Sequence, residues 1–138
     1  MSAIGKAFRT KVLSYAAVSN IVGQRMYADV LVEKCTLPAI CFYVTYTERE
    51  HTLSGLSKAA HAHVTVECYS TSRDGASLLS KAIRETGIDS FRGLVESHRF
   101  CGVEYVSGDE YFTDPPTDGN QVPRYVCSFD VVVHYQEP

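Results

Sequence analysis

No apolar run in this chain approaches the roughly 20 residues that a membrane-crossing helix needs. Lysines and arginines are scattered, and the formal net charge is -3, so the basic stripe of a nucleic-acid binder is missing. At the N-terminus, Lys6, Arg9 and Lys11 break up the apolar residues, which excludes the continuous core of a signal peptide. The five cysteines are odd in number and form no close pair, which predicts reduced thiols in a cytoplasm-like compartment. There is no G-x-S-x-G, no phosphate-cradling glycine loop and no dinucleotide fingerprint. The acidic residues Asp109, Glu110, Asp114 and Asp118 lack the spacing of a calcium loop. These absences argue against an enzyme.

What is present is a strand that runs into a helix. From Ala59 to Tyr69, Ala60, Ala62, Val64, Val66 and Cys68 alternate with His61, His63, Thr65, Glu67 and Tyr69. That period of two predicts a strand with one buried face and one wet face. Thr71 and Ser72 offer helix caps, and Asp74 suits the positive end of the helix that follows. On a helical wheel Gly75, Leu78, Leu79, Ala82 and Ile83 share one side, against Ser77, Ser80, Lys81 and Arg84. Gly87 is a natural stop.

The remaining segments supply partners. Ser2 caps a first helix whose stripe is Ile4, Ala7, Phe8, Val12 and Tyr15. Val18–Val22 is a short apolar turn ended by Gly23, and Arg25, Met26 and Tyr27 form a brief extended piece. After Pro38, Ile40, Phe42, Val44 and Tyr46 alternate with Cys41, Tyr43 and Thr45 in a strand reaching Thr47. The polar segment Glu48 to Lys58 then forms the projecting tip of a long hairpin. Val95 to Val106 is a weaker strand with a bulge expected at Gly102, and Gly108 to Pro123 is a polar loop. The last strand, Arg124 to Tyr135, alternates Tyr125, Cys127, Phe129, Val131, Val133 and Tyr135 with Val126, Ser128, Asp130, Val132 and His134. The predicted architecture is a single α+β domain over residues 1–138. It has a mostly antiparallel sheet of about four main strands, with two main helices packed on one face.

His61 and His63 point the same way from one strand, and Asp130 and His134 join them if the last strand lies alongside, with Glu67 close. Spacing fixes only two ligands where a metal site needs three or four, so a solvated face is the better reading. Cys35 and Cys101 lie in or near loops, with His51 and His98 elsewhere, and nothing local supplies the hydrogen-bonded histidine and lowered pKa that a cysteine nucleophile needs. No metal, cofactor or catalytic residue is expected. Nine tyrosines, six phenylalanines and two long loops point instead to assembly.

The order and spacing of several short motifs resemble the tail completion proteins of long-tailed bacteriophages, also called tail terminators or tail-to-head joining proteins. The motifs are Arg25-Met26-Tyr27 with Asp29, then Leu37-Pro38-Ala39-Ile40, then Glu50-His51-Thr52-Leu53 with Gly55. The strand Ala62 to Tyr69 follows, then the Leu78 to Ile83 helix, Phe91-Arg92-Gly93, and the closing Val133-His134-Tyr135. The resemblance implies a hexameric ring on the head-proximal end of the tail tube, which stops tube growth and presents a surface to the head connector. Its implied partners are other copies of itself, the tube protein and the connector or neck protein. DNA would pass through the lumen without specific binding, and no membrane is involved. Its implied location is the virion head–tail junction, with assembly in the host cytoplasm. Loop length and polarity then select Glu48, Arg49, Glu50, His51 and Leu53 as one interface, and Asp109, Glu110, Tyr111 and Phe112 as another. The competing readings are a head-closure or neck protein and, from a different class, a small cytoplasmic metal-binding or enzymatic domain using His61 and His63.

Overall fold

The computed structural model describes residues 2–31, 35–52, 55–114 and 123–138. In chain order these form α1 (Ala3–Ser14), α2 (Ala16–Val22), β1 (Met26–Ala28), β2 (Ala39–Thr52), β3 (Gly55–Ser70) and α3 (Arg73–Arg84). A 3-10 turn (Ile88–Ser90) leads to β4 (Gly93–Val95), β5 (His98–Tyr105), β6 (Glu110–Asp114) and β7 (Arg124–Gln136). The strand order is β1-β2-β3-β7-β5-β4, with β6 also pairing β7. β7 is therefore the central strand, flanked by β3 along one edge and by β5 and then β6 along the other. The sheet curls into a half-barrel.

The expected four antiparallel strands and two helices are corrected to seven strands and three helices among the described residues. The sheet is mixed, because β1 runs parallel to β2, matching Met26 with Ile40 and Ala28 with Phe42. Strands of three residues such as β1 and β4 are too short to display a period. α2 stands apart from α1 because Tyr15 between them is extended. Two segments read as loops contain strand. β2 and β3 continue their ladder to Thr52 and Gly55, and the acidic stretch Glu110–Asp114 pairs with Arg124–Ser128.

Local signals account for most boundaries. Ser2 accepts a hydrogen bond from the Gly5 amide, and Ser72 accepts one from Gly75, capping α1 and α3. Gly87 adopts the left-handed conformation expected of a helix stop, at φ 79°. At Gly102, φ is 153°, and the register with β7 shifts between Phe100 and Gly102, which places the expected bulge. The core lies between the sheet and the helices: Phe8, Val12 and Val18 meet Ile40, Phe42, Val64, Val66, Leu79 and Ile83.

The structure reverses two of the expected facings. A bulge between Val44 and Tyr46 reverses the alternation, so Tyr46 leaves the core face and stacks on His63, with ring centroids 4.0 Å apart. On α3, Leu78 is 62% exposed and Ser80 is fully buried, the reverse of the wheel reading. The cause lies in β6, whose approach covers part of the polar side of α3.

The Tyr105 hydroxyl is a buried side-chain polar atom without a hydrogen-bond partner. Burial, and then the Asp89 charge, push its pKa up to about 12. Tyr105→Phe removes a desolvated hydroxyl and keeps the ring against Phe129. The variant should unfold at the same temperature or a few degrees higher, a gain of up to about 1 kcal/mol by calorimetry.

Candidate functional site

The ladder between β3 and β7 sets His61 opposite His134 and Thr65 opposite Asp130. The histidines expected to share a face do so: His61 lies 5.5 Å from His63 and 5.8 Å from His134, ring to ring. They do not converge on one point. His61 Nε2 is 3.0 Å from Glu48 Oε2, and His134 Nε2 is 3.5 Å from Glu104 Oε2 on the opposite side. Among the described residues no group of three or more His, Cys, Asp or Glu side chains could hold a metal ion. On the same face Thr65 Oγ1 donates to Asp130 Oδ1 at 2.6 Å, and the Ser107 hydroxyl accepts from the Asp130 amide at 2.9 Å. The first bond ties β3 to β7, and the second holds the junction between β5 and β6 against β7.

The thiols are placed for packing. Cys41, Cys68 and Cys127 are buried, and Cys68 sits directly opposite Cys127 in the ladder. Burial is the first cause that raises the pKa of these three and of Cys35, reaching about 11 for Cys41. That is opposite to the lowered pKa a thiolate nucleophile requires.

The hairpin of β2 and β3 presents the first predicted interface. Glu48, Arg49 and Glu50 are exposed on β2; Glu48 meets His61, and Arg49 pairs with Glu137 at 3.2 Å. His51 is matched with Leu56 across the ladder, and Leu53 lies outside the described residues. β1 covers only Ile40–Phe42 of the outer edge of β2. From Tyr43 onward that edge has no strand partner among the described residues.

The second predicted interface divides. Glu110 and Phe112 are exposed on β6, Phe112 at 44%. Asp109 turns inward instead: its carboxylate accepts from Ser80 Oγ at 2.9 Å and from Arg84 Nη2. Tyr111 donates from its hydroxyl to Ser77 at 3.2 Å, and Arg73 lies 4.7 Å over its ring. Burial alone would raise the Asp109 pKa. The Arg84 and Ser80 hydrogen bonds and the Arg84 charge outweigh it, and the net direction is down. Sequence reasoning missed Glu104, Ser80 and Arg84, since none belongs to a local motif. The free edge of β2 was also missed, because it follows from the shortness of β1.

A curled mixed sheet carrying helices, with a long hairpin, a strand edge unpartnered among the described residues and three buried thiols, defines a small module of mixed sheet and helices. The model of the family described as tail completion protein gp17 matches residues 6–133, and the chain belongs to that family. It is thus a phage tail completion protein, a structural component of head–tail assembly. One solved chain, from the virion of a native gene transfer agent particle, aligns with a TM-score of 0.55 at 13% identity. The alignment covers 97% of this chain and 99% of that one, and the likeness is one of fold. No curated protein sequence gives a significant match.

Proposed function

We propose that the protein assembles as a hexameric ring on the head-proximal end of the completed tail tube, stops its growth and offers a surface to the head connector. The observation that carries this reading is the family match across residues 6–133. Three structural features support it. The sheet has an open edge along β2, which suits subunit-to-subunit or subunit-to-tube contact. The hairpin of β2 and β3 is long, with strands of 14 and 16 residues, and Glu48, Arg49 and Glu50 are exposed along it. β6 exposes Phe112 and Glu110 on a strand held rigidly to α3 through Asp109 and Tyr111.

In this reading Glu48, Arg49, Glu50, His51 and Leu53 contact a neighbouring subunit or the tube. Asp109, Glu110, Tyr111 and Phe112 form another rim contact, where Asp109 serves by fixing the strand. The structural neighbour comes from a virion, and the head–tail junction of the virion is the site proposed here after assembly in the host cytoplasm. A net charge of -3 suits a lumen through which DNA slides without being held.

Light scattering across a concentration range, with negative-stain images of the same samples, tests the ring. Removing Thr52 to Ser57 shortens only the hairpin tip. The shortened protein should lose ring formation and tube capping while its melting temperature falls by no more than a few degrees. A shortened protein that still forms rings and caps tubes would overturn the assigned role of the hairpin. Co-purification with heads lacking tails, rather than with tails lacking heads, would move the protein to the neck side of the junction.

A further inference from the structure

The unpaired edge of β2 borders a cleft of about 390 Å³, and its walls include Ser2, Ala28, Asp29, Phe42, Val44 and Tyr46. The cleft is apolar along one wall and carries one exposed carboxylate, Asp29. Val30 beside it is 73% exposed and Tyr46 is 49% exposed. At the other end of the strand order, β4 pairs only with β5, and its outer edge has no strand partner among the described residues. There Leu94 is 65% exposed, and Arg92, also exposed, precedes the strand. The Arg92 guanidinium donates a long hydrogen bond to the Ser90 carbonyl at 3.5 Å. Three of the six large apolar residues most exposed among the described ones therefore fall on these two patches.

The patches are complementary. One is a cleft of mixed polarity, with Val44 and Tyr46 on one wall and a negative charge, beside a strand edge that no described strand partners. The other is an open strand edge with an apolar side chain and a positive charge. Helix α1 connects them: Ser2 and Gly5 line the cleft, and Lys11 near its other end lies 3.8 Å over the ring of Phe91, just before Arg92. The six to nine residues from Gly5 and Ser2 to Lys11, at about 1.5 Å each, set the patches roughly 9–14 Å apart along the helix. One molecule cannot satisfy its own cleft across that distance, whereas a second copy can.

We infer that β4 of one copy seats beside the unpaired edge of β2 of the next. Leu94 enters the cleft against Val44 and Tyr46, and Arg92 faces Asp29. This rests on the proposed ring and specifies the surface that closes it. The contact is heterologous, since different patches meet, and repetition of such a contact generates a ring when its rotation closes. It also gives a use to two strand edges that have no strand partner among the described residues and would otherwise invite aggregation.

Charge exchange between separate chains tests the contact. Asp29→Lys places lysine opposite Arg92, and Arg92→Glu places glutamate opposite Asp29, so each variant alone repels its own copies. Either one should lose at least tenfold in association by light scattering. Mixed in equal amounts they should reassemble, because both kinds of alternating contact again join opposite charges. Leu94→Asp should fail alone and in every mixture. Asp29 has φ 68°, so Asp29→Asn, which tolerates that conformation, supplies a control expected to weaken association less than the lysine. Melting curves on each variant separate lost association from lost fold. Wild-type rings that all these variants form equally would overturn the surface and leave the ring itself standing. Single variants that fail and do not recover on mixing would overturn the Arg92–Asp29 pairing. A wild-type chain that stays monomeric in solution and on tube ends would remove both the surface and the ring.

Discussion

Phe42→Ala should lower stability by about 3–5 kcal/mol, a large share of the roughly 5–15 kcal/mol available to a domain of this kind. Phe42 is 1% exposed, and its ring meets that of Phe8, itself 2% exposed, at 5.9 Å. This contact joins α1 to β2, and both residues belong to the main core cluster. Truncation leaves a void at the sheet–helix junction that neither the pleated strand nor the capped helix can collapse into. Urea denaturation checks it directly, through a fall in midpoint with little change in slope. Phe42→Leu, which keeps most of the volume, should lose less than half as much. Equal losses for the two variants would mean that the aromatic contact, rather than the filled volume, holds α1 in place.

The next largest effect is expected at Asp109. Its carboxylate is 16% exposed and is bound by Ser80 and Arg84, so Asp109→Asn should cost about 2 kcal/mol at neutral pH. That corresponds to a melting temperature lower by roughly 5–8 °C. The pH dependence has a definite sign. The folded-state pKa lies below the ordinary 3.8, so the carboxylate contributes its stabilisation in full above that value and loses it as pH falls through the folded value. The gap between wild type and variant should therefore close in strong acid, as followed by denaturation at pH 7 and in steps below pH 4. A gap that persists unchanged in acid would assign the loss to shape rather than charge.

Much of the fold is legible where residues repeat. The alternation of Ala60 to Cys68 and of Cys127 to Tyr135 located β3 and β7, and it correctly set His61, His134 and Asp130 on one face. The caps at Ser2 and Ser72 and the stop at Gly87 were equally readable, because each acts through its own backbone neighbours. What failed were features decided by distant residues. β6 looks like loop in sequence, since Glu110 and Asp114 are poor strand formers; pairing with β7 makes it a strand. Ser80 looks like a solvent-facing residue until Asp109 arrives above it from 29 positions away. Tyr46 continues the apolar alternation of β2 on paper, and the bulge after Val44 turns it to the other face. The same holds for the candidate surfaces. The hairpin announced itself by polarity, whereas the cleft beside β2 depends on how short β1 is, and no residue type signals that.

The position of β7 bears on when the molecule takes shape. Its thirteen residues are the last strand in sequence and the middle strand in space, joining Ala59 to Gln136 and Ser70 to Tyr125 on one side and β5 and β6 on the other. As the chain leaves the ribosome, α1, the long hairpin and α3 can begin to organise. The two halves of the sheet stay unjoined until residues 124–136 emerge. Native pairing is then dominated by contacts between residues far apart in sequence, the condition under which folding is slow. A nascent chain paused before Arg124 would display the inner edge of β3 unprotected, so the rate of translation through the final strand governs how long that edge is bare.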